Sequence, residues 1–219
     1  MANIIIFGAG DFAGLVYKYF QMDTKHKVVA FTVDAEYLKQ DSFCDLPLVP
    51  FEKITELYPP SEYKMFVALG YTNMNKLRAE KCFQSKKKGY ELISYINSKS
   101  TILTEYPIGE NCFIFENVNV QPSVKIGNNV IIWNGCNISH GDVIEDHSYL
   151  APCVALGGYV RIKSFCFVGI NSTIHHSVTI ESESLIGAGS VILEDTVEGG
   201  VYYPPRTVLS RRKSDEVTI

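Results

Sequence analysis

Five histidines, His26, His140, His147, His175 and His176, are the side chains of the 219-residue chain able to exchange a proton near neutral pH. His140 stands out. It comes two residues after the aliphatic Ile138, at a point where a repeating chain turns a corner and presents a side chain to solvent or to a neighbouring subunit. A second group lies near the N-terminus, where Gly8-x-Gly10-x-x-Ala13 follows an apolar run from Asn3 to Phe7. Small residues in such a turn let backbone N–H groups and a helix N-terminus approach a phosphate. Asp34 closes a second apolar run, Val28 to Thr32, where an acid can hydrogen-bond a ribose or a base. Gly70 closes a third, Met65 to Leu69, and ligands gather at such carboxyl ends.

The elements that must position the N-terminal group are a strand, a glycine turn and an amphipathic helix reaching Phe20. Up to Tyr95 there is room for four strands, near 3–7, 28–32, 65–69 and 92–96. That is half of a dinucleotide-binding fold, which favours a mononucleotide or nucleotide-sugar over a dinucleotide. Asp11 at the helix start is suited to N-capping but repels pyrophosphate. A further helix ends at Lys86-Lys87-Lys88 before Gly89; lysines in a last turn complement the macrodipole, so these are read as a cap.

His140 belongs to a different architecture. Stepping by six from Ile96 meets an aliphatic residue at all seventeen positions to Ile192. Neither a helix nor a simple strand has that period. Small or β-branched residues two places earlier, among them Cys112, Val118, Val130, Cys136, Ser148 and Ser172, are also expected to face inward. Glycine after the aliphatic residue, at Gly109, Gly127, Gly157, Gly169 and Gly187, fits a corner that needs positive φ or a missing Cβ. Three hexapeptides make an 18-residue coil, and stacked coils make a parallel β-helix. The organisation expected is therefore α/β followed by β: a small Rossmann-like domain over 1–95, a β-helix over 96–200 and a tail over 201–219.

Composition narrows the function. The formal charge is -4, with 46% hydrophobic and 20% charged residues, which describes a folded protein without the basic surface that nucleic acid requires. No stretch reaches the roughly 20 apolar residues of a membrane span, and Met1 to Gly10 lacks a basic leader, so a soluble, cytoplasmic location is expected. Six cysteines without a Cys-x-x-Cys pair read as reduced, packed thiols rather than a metal site.

Gly8-Ala9-Gly10, Val33-Asp34, Ala68-Leu69-Gly70, Ile138-Ser139-His140, Gly169-Ile170-Asn171 and Gly187-Ala188-Gly189 together resemble the bacterial nucleotide-sugar N-acetyltransferases of the PglD/NeuD-like hexapeptide-repeat family. The resemblance covers nearly the whole chain. It implies a left-handed β-helix, a homotrimer with active sites between subunits, and acetyl-CoA as co-substrate. His140 would be the catalytic base, with the nucleotide-sugar held by Gly8, Gly10, Asp11, Phe12, Asp34 and Gly70. Acetyl-CoA would run past Gly158, Ile170 and Ala188, with Tyr149 where some relatives use a histidine. Trp133 stands where many relatives have an asparagine near the sugar, and it could stack on a sugar ring or pack at a subunit interface. Many relatives carry an acid directly after the histidine, where this chain has Gly141. Asp142 could substitute, or it could be a structural aspartate satisfied by backbone N–H groups. Arg206 and Arg211-Arg212-Lys213 could meet the 3′-phosphate of CoA or form a solvated tail.

The implied activity is acetyl transfer to the amino group of a UDP- or dTDP-linked 4-amino-4,6-dideoxy sugar, for lipopolysaccharide, O-antigen or related glycan assembly. The alternatives are O-acetylation or transfer of a longer acyl chain, and a non-catalytic nucleotide-sugar-binding scaffold. A γ-class carbonic anhydrase reading fails on its ligands: His140 and His176 are 36 residues apart, but the third histidine it needs is replaced by Glu181.

Overall fold

The computed structural model describes residues 1–211 and 213. In β1 (Asn3–Phe7), Ile4 and Ile6 face one side and Ile5 and Phe7 the other, and all four are buried. A strand apolar on both sides must be covered on both. The helix α1 (Asp11–Asp23) covers the first side with Ala13, Val16 and Phe20. The chain then forms β2 (Lys27–Val33), the short β3 (Ser42–Phe43) and β4 (Leu46–Pro50). Next come α2 (Ile54–Leu57), β5 (Tyr63–Val67) and α3 (Lys76–Lys87). Ile54 and Cys82 pack against Ile5 and Phe7 on the second side. The sheet order is β3-β4-β2-β1-β5, parallel except for the edge strand β3.

The expected strand at 92–96 is corrected by this topology. Leu92 makes only an isolated bridge to Met65, and Tyr95–Ile96 opens the β-helix. The remaining parallel strand is β4, which Pro47 and Pro50 disguise in the sequence. Proline is tolerated there because β4 has only a two-residue strand on its outer side.

From Tyr95 to Ile192, two-residue strands recur every six residues except at 107–108 and pair with the strand eighteen residues away, while the closing strand Val201–Tyr202 lies sixteen residues beyond its partner Leu185–Ile186. Phe113, Ile131, Tyr149, Phe167 and Leu185 thus stack in register. Three parallel sheets result, of seven, six and four strands. The first, here the domain face, runs from Tyr95–Ile96 to Val201–Tyr202; the second from Thr101–Ile102 to Val191–Ile192; the third from Lys125–Ile126 to Thr179–Ile180. The fold is a left-handed parallel β-helix behind a Rossmann-like domain.

Its core is the hexapeptide series. From Ile114 to Ile192 the aliphatic residues are buried together with Cys112, Val118, Val124, Val130 and their successors. The first repeats are the exception: Ile102 and Ile108 are partly buried and Ile96 is 39% exposed, because no earlier coil lies beneath them. The small inward residues have a polar task. Cys136 Sγ donates to the Ala151 carbonyl, Ser148 Oγ to Lys163 and Ser172 Oγ to Gly187, each in the next coil.

Corner geometry divides between two positions. Left-handed φ falls every sixth residue, three after the inward aliphatic, at Asn111, Asn117, Ser123, Asn129, Gly135, Gly141 and onward to Gly189. The glycines directly after the aliphatic residues are needed for close approach instead. A Cβ on Gly109 would stand 2.3 Å from the Gly127 carbonyl oxygen, and one on Gly169 would stand 2.5 Å from the Ala188 nitrogen.

The domain face turns aromatic side chains outward, and the α1 side of the Rossmann-like domain covers them. Phe20, Phe31 and Phe66 share one core with Tyr95, Phe113, Ile131 and Tyr149. Arg78 of α3 fastens the junction from the other side. Fully buried, it donates to Gly70 O (2.7 Å), Asn75 Oδ1 (3.0 Å), Asn129 Oδ1 (2.9 Å), Asn129 O (3.1 Å) and His147 O (3.3 Å). Every partner is neutral, and burial lowers its pKa to about 10.

Candidate functional site

The carboxyl ends of β1, β2 and β5 open on a cavity of about 350 Å³, lined among others by Gly8, Ala9, Asp34, Leu69 and Lys81. Parallel strands that diverge to either side of β1 leave such a crevice. Gly8 is required twice over: φ is +125°, and a Cβ would stand 2.8 Å from the Ala68 carbonyl oxygen. Gly10 is different. A Cβ there would meet nothing within 4 Å, so its lack of a side chain leaves the turn open to an approaching ligand. Gly10 is also the N-cap of α1, and Asp11 is exposed in the first turn, which corrects the expectation that Asp11 caps.

Asp34 accepts a hydrogen bond from Lys81 Nζ at 2.7 Å. Lys81 is 8% exposed and also donates to Gln84, so a buried ammonium is shared between the acid and the cavity. Sequence reasoning missed Lys81. The signal was the buried face of α3, Arg78, Lys81, Cys82 and Ser85 at helical spacing, which puts two cations where apolar residues normally sit.

Gly70 gives its carbonyl to Arg78. Phe12 packs on Phe113 and Trp133, with centroids 6.0 and 6.2 Å away. Trp133 is stacked on Phe115 at 4.1 Å and 11°. Tyr149, 7% exposed, is stacked on Phe167 at 5.3 Å and touches Tyr71 at 5.2 Å. Trp133, read from the sequence as stacking on a sugar or packing at a subunit interface, and Tyr149, read as lying near the cofactor, pack into the interdomain surface of the protomer. Burial raises the Tyr149 phenol to about 12; the Trp133 indole beside it favours the ionised form slightly. Trp133 Nε1 nevertheless reaches no acceptor with hydrogen-bond geometry among the described residues.

His140 lies elsewhere. Second-face strand Asn137–Ile138 precedes it and third-face strand Val143–Ile144 follows, so it occupies the corner of the prism opposite the domain face. It is exposed. Gln121 Oε1 accepts its backbone N–H at 2.9 Å and lies 3.3 Å from Nδ1. One coil on, Gly158 is buried beneath the ring, and a Cβ there would come within 2.8 Å of both Cε1 and Nε2. The Tyr159 ring meets His140 edge to face at 5.1 Å and His176 at 5.7 Å.

Asp142 is not brought to the imidazole by any hydrogen bond among the described residues. It is fully buried, and its oxygens accept the backbone N–H groups of Ser139 (2.7 Å) and Val160 (2.8 Å). Its position is thus that of a structural aspartate, the second of the two roles left open by the sequence. Burial raises its pKa to about 7, opposed by those two N–H donors. Gly141 has φ +72°, and a Cβ would lie 2.6 Å from Tyr159 Cδ1.

Ile170 and Ala188 are exposed on the corner between the domain and second faces, so one protomer does not join them to Gly158 in a single groove. Of the basic tail, Arg206, Arg211 and Lys213 are described; Arg212 lies outside the described residues. No helix among the described residues is long and apolar enough to cross a membrane.

Residues 98–218, more than half of the chain, match the family described as the GMPPB C-terminal domain. The chain belongs to that family. Among curated proteins, it is 27% identical over 99 residues to an acyl-[acyl-carrier-protein]–UDP-N-acetylglucosamine O-acyltransferase of Nautilia profundicola, covering 42% of this chain and 38% of that protein. The match thus spans well under half of the relative's length. The acetyltransferase domain of PglB from Neisseria gonorrhoeae superposes with a TM-score of 0.78 at 19% identity, covering 92% of this chain and 96% of that one. A histidine-to-asparagine variant of perosamine N-acetyltransferase from Caulobacter crescentus, in complex with CoA and GDP-perosamine, gives a TM-score of 0.81 at 22% identity, covering 92% and 93%. Both likenesses establish the two-part fold.

Proposed function

We propose that the chain is an acyltransferase that moves the acetyl group of acetyl-CoA to the amino group of a nucleotide-linked amino sugar. The observation that carries this reading is the exposed imidazole of His140, held by Gln121 above a glycine that keeps its far edge clear. The crevice at Gly8, Asp34 and Lys81 has the volume of a small-molecule site, and its open turn at Gly8 and Gly10 supports a nucleotide there. The fold neighbours support the substrate classes, since one is named in complex with CoA and GDP-perosamine and another with acetyl coenzyme A.

The chemistry needs few groups. The amine attacks the thioester carbonyl, His140 Nε2 takes the proton the nitrogen sheds, and the C–S bond breaks to release CoA. The Gly158 N–H makes no hydrogen bond among the described residues and is available to the oxyanion. The crevice adjoins the domain face and His140 stands at the opposite corner, so this reading takes the two from different protomers of a trimer. A 4-amino-4,6-dideoxy hexose is the acceptor proposed, with UDP, dTDP or GDP as its carrier. Transfer to a sugar hydroxyl is the second reading, favoured by the O-acyltransferase named among the curated relatives.

Thiol release from acetyl-CoA, screened against UDP-, dTDP- and GDP-linked amino sugars, is expected to be acceptor-dependent and abolished by His140→Ala. Full activity in that variant would exclude the assignment. Mixing His140→Ala with Gly10→Trp, each inactive alone, is expected to restore about one quarter of the sites on random reassembly; no recovery would place crevice and base in one protomer.

A further inference from the structure

Gln121 sits one coil before His140 on the same edge of the prism. Its Oε1 is 2.9 Å from the His140 backbone nitrogen and 3.3 Å from Nδ1. A backbone N–H can only donate, so the amide atom facing it is the oxygen and not the NH₂ group. That oxygen has no proton to offer Nδ1. For the second contact to be a bond, Nδ1 must carry the proton, and the lone pair is left on Nε2. Nε2 is also the ring nitrogen within 2.8 Å of the point a Gly158 Cβ would occupy.

We infer that Gln121 is the positioning residue for His140, holding the imidazole as the Nδ1–H tautomer so that unprotonated Nε2 faces the space kept open by Gly158. This rests on the reading of His140 as general base. The device is neutral: an amide oxygen selects the tautomer without the negative charge by which a carboxylate would favour imidazolium. The other titratable groups on this edge are Tyr159, edge-on to the ring, and His176 beyond it. The Asp142 carboxylate is turned to the backbone N–H groups of Ser139 and Val160, and among the described residues His140 forms no salt bridge with any of the acids or with a terminus.

The test is nitrogen NMR of histidine-labelled protein, with the His140 signals assigned by their loss in His140→Ala. Wild type is expected to show the neutral ring as Nδ1–H and Gln121→Ala to shift it toward the Nε2–H form that an unconstrained histidine side chain prefers. In thiol release, Gln121→Ala is expected to lower kcat about tenfold or more with KM for the nucleotide-sugar unchanged. Gln121→Glu is expected to keep the Nδ1–H tautomer and to move the acid limb of the pH profile upward by about one unit or less, because the pair is exposed. An Nε2–H ring in wild type, or a Gln121→Ala protein with wild-type tautomer and kcat, overturns the inference. Turnover by His140→Ala at the wild-type rate would instead overturn the catalytic reading, and the tautomer measurement would still decide what Gln121 does.

Discussion

Gly158→Ala tests the geometry of the His140 corner with a single methyl group. The added Cβ would stand 2.8 Å from both Cε1 and Nε2 of the imidazole, whereas carbon contacts settle at about 3.5 Å or more. The ring must therefore retreat by about 0.7 Å. Retreat is easy for stability, since His140 is on an exposed edge and alanine restricts the unfolded chain by about as much as strain costs the fold. It is not easy for catalysis, where a misplacement of about 1 Å costs up to about a hundredfold. The expected outcome is a kcat ten to a hundred times lower, about 1.4–2.7 kcal/mol of barrier, with Tm within about 2 °C of wild type. The assay is thiol release from acetyl-CoA at saturating nucleotide-sugar, beside a thermal melt. A folded Gly158→Ala enzyme with full kcat, in a protein that His140→Ala inactivates, would refute the idea that Nε2 works from this position.

Arg78→Met leaves the acceptors at Gly70, Asn75, Asn129 and His147 facing an apolar chain, and a loss of about 2–4 kcal/mol is expected in urea unfolding; an unchanged midpoint would show that the guanidinium is dispensable at the junction. Asp142 has a folded-state pKa raised from 3.8 to about 7 by burial, so the folded form binds the extra proton and stability falls as pH rises from about 4 through 7. Asp142→Ser should flatten that slope, and equal slopes in wild type and variant would contradict it. Gly10→Ala should leave Tm unchanged, because its Cβ meets nothing within 4 Å, while weakening nucleotide-sugar binding about tenfold by calorimetry; wild-type affinity would remove Gly10 from the phosphate path.

The repeat made the β-helix legible because a period of six is a statement about every coil at once, and one exposed member, Ile96, does not erase it. The glycine turn was equally readable, since Gly8 is fixed by both φ and the Ala68 carbonyl. What the sequence hid depends on contacts between distant coils and domains. β4 was masked by Pro47 and Pro50, Arg78 and Lys81 by the habit of reading lysine and arginine as surface residues, and Trp133 and Tyr149 by a domain face that exists only once the two parts dock. Gln121 was within reach: eighteen residues separate it from Ser139, one coil of the spiral, so its stacking beside His140 follows from the same repeat that revealed the fold.

The glycine after the histidine is explained by the next coil. Position 141 has φ +72°, a conformation that aspartate can adopt at modest cost, so backbone strain alone does not exclude an acid there. The Tyr159 ring stands in the way, since any Cβ at 141 would lie 2.6 Å from Cδ1 and 2.7 Å from Cε1, and the exposed ring would have to turn aside. Tyr159 in turn holds a left-handed φ of +61° and rests edge-on against His140, so the aromatic ring occupies the place from which an adjacent acid would steer the imidazole. With the ring in that place, the acceptor beside the imidazole comes from the coil on the other side, where Gln121 Oε1 lies 3.3 Å from Nδ1. Gly141, Tyr159, Gly158 and Gln121 all meet at the one ring, so on the proposed role of Gln121 an acid introduced at position 141 is expected to displace the Tyr159 ring rather than take over the orientation of His140.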